Sequence, residues 1–295
     1  MAVKMTAATR IGLIIIALMT ASTVAAQTPD LSGVSIVTTP ISGGIHMLEA
    51  TGDVAGNIAV SMGEDGILIV DDQFAGLSGQ ILDALNDLHS GPLRFILNTH
   101  HHNDHSDGNA ALSAATGATV IAHDQVRERL LHKQAAHWPT VTYAEGLTIH
   151  FNGEAIQVLA VPGGHTDNDS IVIFENSNVV HMGDLFNSGR TSFPFVDFPA
   201  GGNALRMLEN IERILPLIPA DARIIAGHGP LSDRDGLVEV REMLNHTIDF
   251  VRTRRARGES LDAIKAEGFP VQYDEWNHGY TSAAEWIELI YRSLD

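Results

Sequence analysis

The chain has 295 residues, 44% of them hydrophobic, with 36 acidic against 18 basic residues and no cysteine. That length and apolar content suit one large α/β core, and the absence of cysteine excludes disulfides and thiolate metal ligands. A formal charge of −18 repels phosphate backbones, which excludes a nuclease with its basic track and leaves a small molecule as the expected partner, with no nucleic acid.

In chain order, Lys4 and Arg10 precede a largely apolar run over 11–19, and Val24, Ala25 and Ala26 offer small residues before Gln27. This is the pattern of a secretory signal peptide cleaved after Ala26, and the run is shorter than the ~20 residues that span a bilayer. Residues 27–295 are expected as one domain, periplasmic or secreted. No stable membrane anchor is expected after cleavage, nor a lipid anchor, because no cysteine follows the site.

Apolar clusters at 45–48, 57–62 and 66–70, broken by glycine-rich stretches, predict an opening antiparallel sheet. Residues 77–88 repeat apolar residues at helical spacing, 93–97 return to strand, and 108–116 predict another helix. Strands are expected at 118–122, 147–151, 156–161, 170–174 and 178–182. Amphipathic helices follow at 202–215, ended with the help of Pro216, and at 237–257. Two sheets face to face with helices outside would bury this pattern.

Residues 100–105 read His-His-His-Asn-Asp-His, so His100, His102, Asp104 and His105 form H-x-H-x-D-H. In an extended loop residues two apart point the same way, so His100 and His102 offer two imidazoles to one ion while His101 faces away. A turn into helix near Asp104 directs that carboxylate and His105 to a second position. Nitrogen and oxygen ligands without thiolate suit zinc, with iron or manganese as alternatives, and two ions ~3.5 to 4 Å apart can share one nucleophile. Three more metal-competent residues follow probable strands beside glycines: His165 in Gly-Gly-His-Thr, Asp184 in Met-Gly-Asp-Leu and His228 in Ala-Gly-His-Gly. The remaining histidines lie outside any ligand spacing and are expected to be structural or surface residues.

The ordered set HxHxDH, GHT, GD and GHG resembles the metallo-β-lactamase superfamily over nearly all of the mature chain. The resemblance implies a four-layer αβ/βα sandwich and a two-zinc hydrolytic centre. In it His100, His102 and His165 would bind the first ion, Asp104, His105 and His228 the second, and Asp184 both. Asp104 would hold the attacking water in line and relay a proton, giving hydrolysis without a covalent enzyme intermediate. Asp71 matches a family aspartate near the metals, placed to orient a ligand imidazole. A hairpin loop at 51–57 would close over substrate.

The best-known true β-lactamases carry a cysteine at the place of Asp184 and a lysine three residues later; this chain has Asp184 and Asn187. The aspartate resembles the glyoxalase II, lactonase and general-hydrolase branches. Arg190 is the expected substitute anchor for a substrate carboxylate, Asn187 a substrate contact, and Phe193, in the aromatic loop 187–202, a pocket wall. The expected function is an exported zinc hydrolase that opens a cyclic amide or ester, a β-lactam in the first instance. The alternatives are a lactonase or glyoxalase II-like thioester hydrolase and, from another class, a periplasmic metal-binding accessory protein without turnover.

Overall fold

Two β-sheets stack face to face in the computed structural model, which describes residues 29–295. The signal peptide expected at 1–26 lies outside the described residues. The first sheet runs in chain order through β1 (Ile36–Ser42), β2 (Ile45–Ala50), β3 (Ile58–Gly63), β4 (Gly66–Val70), β5 (Leu93–Asn98), β6 (Thr119–His123) and β7 (Val141–Tyr143). Its first four strands are antiparallel, as expected from the short glycine-broken runs, and β4 to β7 are parallel. The second sheet comprises β8 (Gly146–Phe151), β9 (Glu154–Ala160), β10 (Ser170–Phe174), β11 (Val179–His181), β12 (Arg223–Ile225) and β13 (Ser232–Asp233), paired in that sequence. Only the β11–β12 pair is parallel.

Helices cover both outer faces. With the first sheet are α1 (Ser78–Leu88), α2 (Asn103–Ser106), α3 (Asn109–Thr116) and α4 (Asp124–Leu130); with the second are α5 (Ala204–Ile214), α6 (Arg234–Ala256), α7 (Leu261–Glu267) and α8 (Ala283–Ser293). Strand β4 shows why this layering forms: Leu68 and Val70 enter the core between the sheets, while Ile67 and Ile69 meet Ile81, Leu85 and Leu112 of α1 and α3. A strand buried on both faces reads as a continuous apolar run. Strand β10 does the same in the second sheet. Val172 and Phe174 point inward, and Ile171 and Ile173 meet Met207, Leu244 and Trp286 of α5, α6 and α8. This is the four-layer αβ/βα sandwich.

The helices begin where side chains satisfy their free N–H groups. Asn203 accepts from the amides of Leu205 and Arg206 to start α5. Asp233 accepts from Gly236, so α6 begins at Arg234 rather than at 237. Ser282 and Glu285 form a reciprocal capping box on α8. Strand β1, which precedes the first expected strand, is only partly buried and is bulged between Pro40 and Ser42, as an edge strand tolerates. Among the described residues no helix is long and apolar enough to cross a membrane.

Candidate metal centre

The strand ends of both sheets deliver the motif residues to one place. His100 and His102 follow β5, with Asp104 and His105 on the first turn of α2; His165 follows β9, Asp184 follows β11, and His228 follows β12. Ligand-competent atoms of His100, His102, His165 and Asp184 lie within 4.8 Å of one another, and so do those of Asp104, His105 and His228. Two glycines allow the backbone to come this close. A Cβ on Gly56 would stand 2.2 Å from the His105 ring, and one on Gly227 would stand 2.1 Å from Asp184 Oδ1.

Each imidazole is pinned from behind by an acceptor, which fixes its tautomer and turns its other nitrogen inward. His102 Nε2 faces Asp197 Oδ2 at 3.0 Å, and His165 Nδ1 faces the Phe195 carbonyl at 2.9 Å. His105 Nδ1 faces Asp71 Oδ2 at 2.7 Å. The Thr99 hydroxyl donates to Asp71 at 2.8 Å, so it accepts from His100 Nδ1 at 3.1 Å. Behind His228, Nδ1 is 3.5 Å from Asp53 Oδ1.

Among His100, His102 and His165 the inward atoms then have no proton to share. His102 Nδ1 lies 3.1 Å from His100 Nε2 and 2.9 Å from His165 Nε2, three lone pairs converging on one point. That arrangement is repulsive unless a cation sits among them, and the separations approach the roughly 3.3 Å edge of a tetrahedron with bonds of ~2.0–2.1 Å. Asp184 stands between the two sets, with Oδ1 3.1 Å from His105 Nε2 and Oδ2 3.5 Å from His165 Nε2 and 3.7 Å from His228 Nε2. His105 Nε2 and Asp184 Oδ1 are buried and complete no hydrogen bond. The donor set and these orphaned atoms fit a divalent metal.

The two sets differ in charge. Burial lowers His100 well below the ordinary imidazole value and His165 to about 4, so both are neutral ligands. Burial alone would also lower His105 and His228. The charges of Asp184, Asp104 and Asp71 more than offset it for His105, which is held well above its usual value. Asp184 and the hydrogen bonds of Asp104 and Asp53 push His228 up to about 10. Asp104, whose Oδ2 is 3.2 Å from His228 Nε2, is brought down to about 2 because the cationic imidazoles outweigh its own burial.

Asp71 is fully buried and also accepts from the Thr99 amide at 2.7 Å. It holds φ at 67°, and Gln73, which reaches the Gly56 carbonyl, holds 58°. Such non-glycine strain persists only where the surroundings over-determine it. Asn57 ties the loop that carries His228 by donating to the carbonyls of Ala226 and Gly229.

The three expected substrate contacts fare differently. Arg190 does not reach the centre; it is half-exposed and pairs with Glu239 and Glu275, since a surface guanidinium takes the nearest carboxylates. Phe193 is 1% exposed and packs against Phe269 and Trp276 in the core, so it is no pocket wall. Asn187 is half-buried, with Oδ1 shielded and without a hydrogen-bond partner. The aromatic at the centre is Phe195, whose ring lies 6.4 Å from that of His102 and 5.9 Å from that of His165. Sequence reasoning missed Asp53, Thr99 and Asp197, because a carboxylate or hydroxyl alone in a loop carries no ligand spacing. The loops 51–57 and 187–202 themselves were legible. His181, expected to be structural, is buried and holds the Asn57 carbonyl through Nε2 at 2.9 Å.

Comparison with known proteins places these residues in context. The family model of the metallo-beta-lactamase superfamily matches residues 52–228. The hydroxyacylglutathione hydrolase of Methylococcus capsulatus is 30% identical over 195 residues, 65% of this chain and 67% of that one. The protein of the same name from Nitrosococcus oceani is 27% identical over 190 residues, 63% of this chain and 62% of that one. The chain thus spans about two thirds or less of the length of these curated relatives. Among solved structures, the metallo-beta-lactamase from Pontibacter korlensis superposes with a TM-score of 0.63 at 19% identity, covering 72% of this chain and 99% of that one. A metallo beta lactamase from Hirschia baltica gives 0.61 at 19% identity, covering 71% and 98%. At that identity the likeness is one of fold.

Proposed function

The chain belongs to the metallo-β-lactamase superfamily, and from that premise we propose that it is a two-zinc hydrolase of an acyl bond, a thioester or ester in preference to a β-lactam. The observation that carries this reading is the ring of inward lone pairs from His100, His102 and His165 beside the shared carboxylate of Asp184. His100, His102 and His165 would hold one ion, Asp104, His105 and His228 the other, and Asp184 both. Bound zinc supplies Lewis acidity toward an acyl oxygen and lowers the pKa of water from ~15.7 to ~7.

The side chains do the rest. Asp184 and Asp104 concentrate negative charge where a cation and an incoming water are to be held. Asp104, a quarter exposed, is the carboxylate placed to take a proton from water and return it to the leaving atom. The water oxygen bonds to the acyl carbon, the carbon–sulfur or carbon–oxygen bond breaks, and the leaving sulfur or oxygen takes the proton. Two facts move the reading from β-lactam to thioester. The curated relatives are hydroxyacylglutathione hydrolases, and Arg190, the one expected anchor for a drug carboxylate, is engaged at the surface.

The test is an initial-rate assay of the zinc-loaded protein on a hydroxyacyl thioester, a lactone and a cephalosporin, with and without chelator. Chelator-sensitive thioester or lactone hydrolysis is expected, with His102→Ala and Asp104→Asn inactive and folded by circular dichroism. Turnover of the cephalosporin alone would restore the β-lactam reading, and metal binding without turnover of any substrate would favour an accessory protein. Export belongs to the same proposal. Sequencing the mature N-terminus from an extracytoplasmic fraction should find Gln27 first.

A further inference from the structure

A cleft of about 460 Å³ adjoins the candidate metal centre, lined by Phe195, Tyr280, Thr281, Glu285, Glu288 and Leu289. Its size suits a small ligand. Phe195 is the wall it shares with the centre, because the same ring stands beside His102 and His165 on one side and meets Tyr280 edge-on at 5.5 Å on the other. Tyr280 is 82% exposed, an aromatic face held open at the mouth. Thr281 is 2% exposed, and its Oγ1 is shielded from water without a hydrogen-bond partner.

The charge of the cleft has one sign. No lysine or arginine lines it. Glu288 pairs with Lys265. The Glu285 carboxylate is held ionised by the Ser282 hydroxyl and amide and by the charge of Lys265, so this one ammonium serves two carboxylates and the wall keeps a net negative charge. Two aromatic rings and a wall of net negative charge suit an apolar cation, through ring quadrupole and charge together, and the net charge of −18 reinforces that sign at longer range.

We propose that this cleft is the leaving-group subsite and that it selects an apolar group bearing a positive charge, such as a quaternary ammonium, over one bearing a carboxylate. The proposal rests on the acyl-hydrolase reading above. It names the thiol or alcohol half of the substrate as cationic, so a doubly anionic peptide thiol would be a poor leaving group here.

Three thioacetates decide it: that of thiocholine, that of its uncharged tert-butyl isostere, and that of mercaptopropionate. In each the water oxygen bonds to the acetyl carbon, the carbon–sulfur bond breaks, and the thiol leaves with a proton. The zinc-loaded protein should prefer the cation to the isostere and the isostere to the carboxylate in kcat/KM. Raising the ionic strength should narrow the spread. Glu285→Gln keeps the cap, since glutamine also serves at that position, and should shrink the cation-to-carboxylate ratio by roughly two- to fivefold, the scale of one exposed charge. Equal rates, or preference for the carboxylate, would overturn the proposal while leaving the hydrolase reading intact. If none of the three turns over, the hydroxyacyl thioester and the lactone judge the hydrolase reading, and calorimetry judges the cleft. Tighter binding of benzyltrimethylammonium than of phenylpropionate supports it, and the reverse or no binding sinks it.

Discussion

The acceptor behind each imidazole sets what the centre can hold. Asp71 accepts hydrogen bonds from His105 Nδ1, the Thr99 hydroxyl and the Thr99 amide at once, so Asp71→Asn would aim an amide N–H₂ at other donors. A loss of roughly 10- to 100-fold in metal affinity is expected, measured by competition with a chromophoric chelator, and unchanged affinity would remove Asp71 from the centre. Gly227→Ala should act sterically, because its Cβ would meet Asp184 Oδ1 at 2.1 Å and Gly183 backbone at 2.6 Å. The variant is expected to fold and to retain less than its full metal content by atomic absorption. Protonation divides the two sets: His100 and His165 are neutral at any pH near 7, whereas His228 keeps its proton up to about 10 and His105 is likewise raised. A cation entering beside His105 and His228 must displace those protons, so its affinity should rise with pH, by about tenfold per unit for each proton released. Calorimetric titration in buffers of different ionisation enthalpy should show proton release on the second equivalent and little on the first. Equal release on both would contradict the division.

At the scale of elements, the ligands ride on the exits of β5, β9, β11 and β12, while the cleft is built by the segment leading into α8 and by α8 itself. Trp286 fixes that helix: it is fully buried, and its Nε1–H donates to Thr247 Oγ1 on α6 at 3.0 Å. Trp286→Ala should cost roughly 3–5 kcal/mol by cavity formation, read from a denaturant melt, yet the metal stoichiometry should hold, because no candidate ligand lies on α8. Loss of metal together with stability would mean that the helices and the strand exits form one inseparable unit. The same division explains what the sequence makes legible. Strands β3, β4, β5 and β10 are long apolar runs, and α1 and α5 repeat apolar residues at helical spacing, so their places follow from periodicity. Strands β7, β12 and β13 have only two or three residues and exist through pairing with distant neighbours, which no local pattern records. The seven candidate ligands announce themselves by spacing and by the glycines beside them. Asp53, Thr99 and Asp197 do not, since each acts through a hydrogen bond that only the folded chain completes. Phe193 and Phe195 alternate along one loop, and which of the two turns to the core is decided by Phe269 and Trp276, residues more than seventy positions away.

For the whole molecule, the centre is a junction between the two sheets. His100, His102, Asp104 and His105 come from the first, and His165, Asp184 and His228 from the second, so a cation held by both joins them on the edge where they part. Ligand that binds the folded state alone stabilises it by about 4 kcal/mol at a thousandfold excess over Kd. At 2–4 °C per kcal/mol for a domain approaching this size, the metal-loaded protein should melt roughly 8–16 °C above the chelated one. The net charge of −18 offers a competing cause, because any cation relieves self-repulsion as a diffuse counterion. Monovalent salt separates the two. Screening should raise both melting temperatures by similar amounts and leave most of their difference, since buried charges are screened far less than exposed ones. His102→Ala should lose that difference and keep the response to salt. Were the gap between loaded and chelated protein to close in high salt, the stabilisation would belong to the acidic surface, and the junction between the sheets would stand without its metal.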